Sequence, residues 1–599
     1  MNDHTTSSDI TSTPVSQRDA DWRAFENGTP VVAVGATSLP EVYDYQEGLQ
    51  EYRVSEAVWL KTVTVARQGE GNASQHIIAQ RTTDGGVTWS DWFDIEPEGP
   101  PPSSYGGFFR HPLTGRVAFM YTLGPERDPT LADGRPFYGH RHHVGQIVYR
   151  YVSDQGEFSE RYVLNLPLRA VDRANVFAGA HTLHYGHPLP QVLIGEDGYG
   201  WYTKLGPEPY VSNGEAFIVR YVGYANNDRI EELELELLPR GEHGLQPPDA
   251  ECICGIAPIA IQDRTWLFKF RTTTGHAGLV KTLDGGQTWS VGDLCYAPGG
   301  RPVKNPESPF SIVTDHKGRL LLTFYNDSYS IGFGSFAARD LVYLSHLRLV
   351  DSDLYVSEPE LFYYRRDQGG YERHSLKRLN PPHLIISADG VYGQGSDKLS
   401  LRRFAIPERF LDTLASQHTC REIPQEGLIL ATQAARDGHR RIPAPLLPRL
   451  SDGGAFTLTF MVKAEHARAR SVILDGLAGC GLRVITWRHE NLLIAMSDGT
   501  QTVRLESDAG SLAGGQRHCV SIIVDGRPGL ITIVIDGQFQ DGGIYRERGT
   551  VWFDQGFGDV NGTPFWEFGS TAEVSELYVH DRALLTSEAV AIYRAITES

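Results

Sequence analysis

Short apolar or alternating runs recur along the first two thirds of the chain: Val31–Val34, Val58–Val65, Val117–Tyr121, Gln146–Tyr151, Trp266–Phe270, Leu320–Tyr325 and Leu341–Leu347. Each has the length of a strand, and clusters of Gly, Asp, Asn and Pro separate them, which predicts an all-β protein. A helical period is nearly confined to Pro407–Ser416 and Ser587–Ile596. In the last third, Phe456–Lys463 alternates around an apolar face. Gln516–Gly526 and Gly529–Gly537 each run into an Asp-Gly turn, and Val574–Tyr593 reads as a strand leading into a capped helix.

Two segments repeat. Thr82-Thr-Asp84-Gly-Gly86-Val-Thr-Trp89 and Thr282-Leu-Asp284-Gly-Gly286-Gln-Thr-Trp289 share one spacing, and Ser153-Asp154-Gln-Gly156-Glu-Phe158 is a degenerate third copy. The spacing predicts a hairpin turn in which Asp accepts backbone N–H groups, Gly takes a positive φ and Trp packs between sheets. Four-stranded units punctuated in this way predict a propeller.

The repeats resemble the Asp-boxes of sialidases and other carbohydrate-active propellers. The order around them is similar to that family: Tyr52-Arg53-Val54 ahead of Ala66-Arg67 and the first box, Trp266–Thr272 ahead of the second, Asn305–Pro309 with Gly318–Tyr325 as a later blade, and Pro381–Gly390 as the closing one. The resemblance covers about residues 24–407 and implies a six-bladed sialidase-like β-propeller. The last third resembles a concanavalin/laminin-G-like jelly-roll β-sandwich. The expected organisation is a disordered tail over 1–22, a propeller over 23–416 and a sandwich over 417–599.

Composition narrows the partners. Lys and Arg number 55 against 74 Asp and Glu, giving a net charge of −19, which argues against a nucleic-acid partner. The longest apolar runs, Cys519–Val524 and Leu530–Ile535, fall far short of a membrane-spanning helix, so no membrane partner is expected. The first residues lack a basic start and an apolar core, so as written the protein is expected to be cytoplasmic, or secreted if a leader has been trimmed. Six cysteines are too sparse for a disulfide framework, and Cys252 and Cys254 read as buried thiols rather than metal ligands. No cofactor is expected to be required; a structural calcium is left open.

The expected partner is an oligosaccharide or polysaccharide. The resemblance implies a pocket on the propeller axis with three arginines on a carboxylate, an Asp acid/base, and a Tyr nucleophile assisted by Glu. Arg53 and Arg271 stand where two of those arginines would fall, and a guanidinium fork suits bidentate recognition of a carboxylate. Glu70 and Glu251 are the nearest carboxylates, although neither is in the family register, and Cys254–Pro258 and Asn380–His383 replace the expected sequences. These departures predict a glycoside hydrolase for an acidic or decorated saccharide rather than a typical sialidase. The runner-up is a polysaccharide lyase: Ser104–Pro112 resembles a segment of propeller lyases, and Tyr105, Arg110, His142, His143 and His383 supply the types of acid, base and cation that β-elimination requires. A non-catalytic glycan-binding protein is the third expectation.

Overall fold

The computed structural model describes residues 21–598 except 25–26, 28, 31–39, 41–42, 44, 68, 70, 128–143, 174–181, 186–187, 205–213, 247–251, 307, 309, 329–339, 366–372, 379–383, 390–401, 405, 433–439 and 465–469. The chain is all-β, a propeller followed by a β-sandwich.

Six antiparallel blades form the propeller. Blade 1 holds Tyr45–Arg53, Trp59–Ala66, His76–Thr82 and Phe93–Asp94, and blade 2 holds Ser103–Arg110, Val117–Leu123, Val144–Val152 and Tyr162–Val163. Blade 3 comprises Thr182–Tyr185 with Val192–Ile194, then Asp197–Lys204, Glu215–Tyr221 and Leu235–Leu238. Pairing of Thr182 with Gly145 joins it to blade 2 in one nine-stranded sheet. Blade 4 is Cys252–Gln262, Thr265–Thr272, Ala277–Thr282 and Ser290–Asp293. In blade 5, Ser311–Thr314, Leu320–Phe324 and Leu341–Val350 are followed by Asp353–Val356 and Glu360–Tyr364, which divide the fourth position between them. Blade 6 takes Arg373–Arg378, Leu384–Asp389 and Arg402–Phe404, and the early segment Thr29–Pro30 supplies its outer strand through Thr29 opposite Arg403. A strand from one end of the ring thus completes the blade at the other, which leaves fewer open sheet edges.

The repeated turns have the predicted geometry. Asp84 accepts the Thr88 N–H at 2.9 Å and the Thr88 hydroxyl at 2.6 Å, and Asp284 accepts the same pair from Thr288 at 2.9 and 2.6 Å. Gly86 and Gly286 sit at φ 92° and 87°, and a Cβ on Gly86 would lie 2.9 Å from the Trp59 ring, so both conformation and space require glycine there. In the degenerate copy it is Ser153, not Asp154, whose side chain accepts the turn N–H groups.

The sandwich stacks two sheets. One has seven strands, centred on Ala455–Ala464, Arg517–Asp525 and Ala572–His580. The other has six, in the order Arg441–Pro443, Phe565–Phe568, Val472–Asp475, Cys480–Trp487, Asn491–Asp498 and Thr502–Glu506. Phe456, Leu458, Phe460 and Val462 from the first sheet meet Leu482, Val484, Leu492, Ile494 and Met496 from the second in one buried core, as a period of two dictates.

Helix Glu408–Ser416 links the domains and buries Phe410, Leu411 and Leu414 against blade 5. The domain seam is both apolar and charged. Leu530, Phe539 and Trp552 of the sandwich pack with Leu322, Phe324 and Tyr343 of blade 5. Arg301 pairs with Glu358 at 2.6 Å and Asp541 at 2.9 Å, and the buried Lys304 donates to the carbonyls of Asp541 and Arg546 at 2.8 and 2.7 Å. Asp21, Trp22 and Arg23 are tied into this seam, with Arg23 reaching Asp525 at 2.7 Å.

Candidate functional site

The two ends of the propeller differ in what the chain puts there. At one end lie the hairpins joining first to second and third to fourth strands; Gly85 N–H on the Ala57 carbonyl and Gly285 N–H on the Arg264 carbonyl, both 2.8 Å, hold them together. At the other end lie the links from second to third strands and from blade to blade. We call these the turn end and the loop end.

Arg53 and Arg271 do not meet. Arg53 is the last residue of the first strand of blade 1, at the turn end, where its guanidinium stacks on Trp59 with 3.9 Å to the ring centroid. Arg271 pairs across its sheet with Cys254 and Ala277, at the loop end of blade 4, and is 5% exposed. A motif match identifies a strand. It does not say which end of the strand a residue occupies, and a nine-residue strand spans roughly 30 Å. Arg53 is therefore a turn-end residue with an aromatic partner.

Tyr105 and Arg110 part in the same way. Arg110 is exposed at the turn end, where it donates to the carbonyls of Arg53 at 3.1 Å and Val54 at 2.5 Å. The neighbouring His111 is a buried structural residue, 2.6 Å from the Tyr224 carbonyl. Tyr105 lies at the loop end, near the start of the first strand of blade 2, at φ 57° within a register shift between Ser104 and Gly107. Its N–H is held by the Thr64 hydroxyl at 3.1 Å. A bulky residue at positive φ is a strained conformation that only the surrounding structure maintains, and such residues gather at functional sites. Glu70, Glu251, His142, His143 and His383 lie outside the described residues, and so do the side chains of Cys252 and Cys254.

The loop end contains further polar groups that the sequence did not single out. The Ser104 hydroxyl is buried without a hydrogen-bond partner beside Tyr105. Asn326, at φ 50° and 3% exposed, has its Oδ1 buried without one. Asn305 nearby is fully engaged, donating to the Pro306 and Ser308 carbonyls at 2.8 Å each. Buried polar atoms are nearly always satisfied, so those of Ser104 and Asn326, with Asn72 Nδ2 and Gln75 Nε2 at the same end of blade 1 and others elsewhere in the chain, are places where water or an oxygen-rich ligand would be accepted. No local signature in Tyr325-Asn326-Asp327 announces this. Among the described residues, no group of three or more His, Cys, Asp or Glu could hold a metal ion, and no helix is long and apolar enough to cross a membrane.

No family model and no curated protein matches the chain. Among solved structures it is similar to a Trypanosoma rangeli sialidase in complex with sialic acid, at 13% identity over 94% of this chain and 96% of that one, with a TM-score of 0.40. It is also similar to the NanB sialidase of Streptococcus pneumoniae, at 10% identity over 63% of this chain and 70% of that one, with a TM-score of 0.41. Similarity at this distance transfers no residue's role, and the site rests on this chain's own geometry.

Proposed function

We propose that this is a carbohydrate-active enzyme of the glycoside hydrolase type that acts on an acidic or decorated saccharide at the loop end of the propeller. The observation that carries this reading is the buried Arg271 at that end, which also carries unsatisfied polar groups on other blades, in a chain of net charge −19. A fixed guanidinium in a water-poor site interacts with a carboxylate more strongly than distant, salt-screened acidic groups repel it. A second reading is favoured by Tyr105. A tyrosine held at positive φ and an arginine at one end are two of the parts of a uronate lyase, in which a base removes the C5 proton, the C4–O bond breaks, a C4–C5 double bond forms and an acid protonates the leaving oxygen.

Product analysis on sialosides, uronate polymers and neutral glycans tests the proposal. New reducing ends without ultraviolet absorbance support hydrolysis, an unsaturated uronate supports elimination, and neither product from any substrate would leave only glycan binding. On the substrate turned over, Arg271→Ala is expected to lower kcat/KM by about 30-fold to several thousand-fold, with Arg271→Lys nearly as damaging because Lys keeps the charge and loses the fork. Wild-type turnover in both variants would move the site elsewhere.

A further inference from the structure

We propose that the outer face of the six-stranded sandwich sheet is a second, separate site, a groove that binds an anionic saccharide chain through a pair of arginines flanking a small-residue floor. The cavity on this face has a volume of ≈ 1020 Å³. Alternate residues of three neighbouring strands line it: Arg483, Ile485 and Trp487, then Leu493, Ala495 and Ser497, then Thr502, Arg504 and Glu506. Their neighbours in sequence point into the core, so the lining follows from the period of two.

Register makes the clamp. Arg483 lies opposite Ala495, and Ala495 opposite Arg504. The two arginines therefore stand two strand spacings apart, roughly 10 Å, on the same face, with only a methyl group between them. Asp475 braces the Arg483 guanidinium at 2.7 Å while its Nε is buried without a hydrogen-bond partner. The Trp487 indole N–H is also buried without one. That ring holds two further guanidiniums, those of Arg470 at 4.3 Å and Arg488 at 5.5 Å from its centroid. Among the described residues Arg488 and Arg504 make no ion pair and Glu506 is the one carboxylate in the lining, so the lining itself is net positive in a strongly acidic chain.

These features select the ligand. The fork geometry and net positive charge suit carboxylates or sulfates. The unmet indole and guanidinium donors, together with the Thr502 hydroxyl, suit the many oxygens of a sugar. Arg546 and Arg548 form the opposite wall, and Arg548 is fixed there by Asp340 at 3.1 Å and by Asp327, both from the loop end of blade 5. One wall of the groove is thus anchored to the same end of the propeller where Arg271 lies. The proposal takes its ligand class from the saccharide reading above, and its test measures binding without turnover, so each can fail alone.

The full-length chain is titrated calorimetrically with dextran sulfate and with polygalacturonate oligomers, with neutral dextran and poly-glutamate as controls. Binding to the anionic glycans is expected, falling steeply toward about 0.5 M salt. Arg504→Ala and Arg483→Ala are each expected to weaken it about tenfold or more, whereas Arg271→Ala leaves the groove's affinity unchanged. Arg504 is exposed and its replacement does not disturb the core, so an unchanged thermal midpoint with unchanged binding would overturn the proposal. It would equally be overturned by equal affinity for neutral dextran, by tighter binding of poly-glutamate, or by binding lost in Arg271→Ala alone.

Discussion

Among the described residues, two arginine-lined cavities are built on opposite plans. The cavity of ≈ 470 Å³ at the domain seam contains Arg23, Asp21, Asp525, Arg582 and Glu360, and these five are answered from within the protein, while the exposed Arg527 that also lines it makes no ion pair among the described residues. Arg23 bonds both Asp21 and Asp525 at 2.7 Å, Tyr364 adds its hydroxyl to Asp21 at 3.2 Å, and Arg582 pairs with Glu588 at 2.7 Å. The groove on the sandwich face leaves Arg488 and Arg504 unpaired and two donors unmet. Where the partners are supplied from within the chain, charge fixes the assembly. Where they are not, it is left for something outside the chain.

That contrast is tested first where it is largest. Arg23→Ala would leave Asp21 and Asp525 facing each other across the seam, and the two carboxylates now hold the Arg23 guanidinium well above its usual range. Removing one member of a buried pair costs about 3–5 kcal/mol. Urea denaturation of the full chain is expected to show a loss of that order, with dextran sulfate affinity unchanged. Arg504→Ala is expected to do the reverse, shifting stability by no more than about 0.5 kcal/mol while reducing affinity. A stability loss in Arg504→Ala equal to that in Arg23→Ala would erase the distinction.

Next is Glu360, the seam carboxyl that reaches across to the N-terminus of the last helix, Thr586–Thr597. It accepts the N–H groups of Thr586 at 2.8 Å and Ser587 at 2.6 Å. Burial pushes its pKa up to about 7, against the pull of those two bonds. A carboxyl raised in the folded state keeps its proton where the unfolded chain has released it, so stability falls as pH rises from about 4.5 toward about 7, by up to about 3 kcal/mol. His346, lowered to about 4 by burial, works in the opposite direction over part of that window, so wild type must be compared with a variant. Glu360→Gln should be less stable overall, because its amide faces a donor, and its unfolding free energy should lose the fall between pH 5 and 7. The same fall in both proteins would assign the proton to another group.

Most of the expected strands, the helices Glu408–Ser416 and Thr586–Thr597 and the turn geometry were legible because each is written locally, in a period or a fixed spacing, while the expected strand Val31–Val34 lies outside the described residues. Arg582 illustrates this: the strand-to-helix signal ending in Asp581-Arg582 corresponds to a pair with Glu588, whose carboxylate also accepts the Leu585 N–H at 2.8 Å. The site was less legible. Arg271 falls at the loop end and Arg53 at the turn end, because sequence order does not record where along its strand a residue lies. The groove is less visible still. Arg483 and Arg504 become neighbours only through the register of three strands, with Ala495 as the hinge of the match. Their intervening sequence, read linearly, is ordinary sandwich alternation.

The smallest expected effect concerns a third way of answering charge, within a single turn. Among the described residues Asp84 makes no ion pair. Its pKa is lowered to about 2 chiefly by the Thr88 hydroxyl and N–H, with the Thr82 hydroxyl adding to them. Lowering means that the stabilisation is complete above about 3.8 and is lost as pH falls toward about 2. Asp154 occupies the corresponding position in the degenerate copy, yet among the described residues its carboxylate accepts no hydrogen bond, and Ser153 holds that turn instead. Asp84→Ala should therefore lower the thermal midpoint slightly at neutral pH and flatten the acid limb of the stability profile, while Asp154→Ala leaves both as in wild type. Because Asp84 is exposed, its charge is well hydrated either way, and what the variant loses is the fixing of the turn over Trp59. If the two substitutions shifted the acid limb equally, the carboxylate would be acting through the overall field of an acidic chain rather than through its turn.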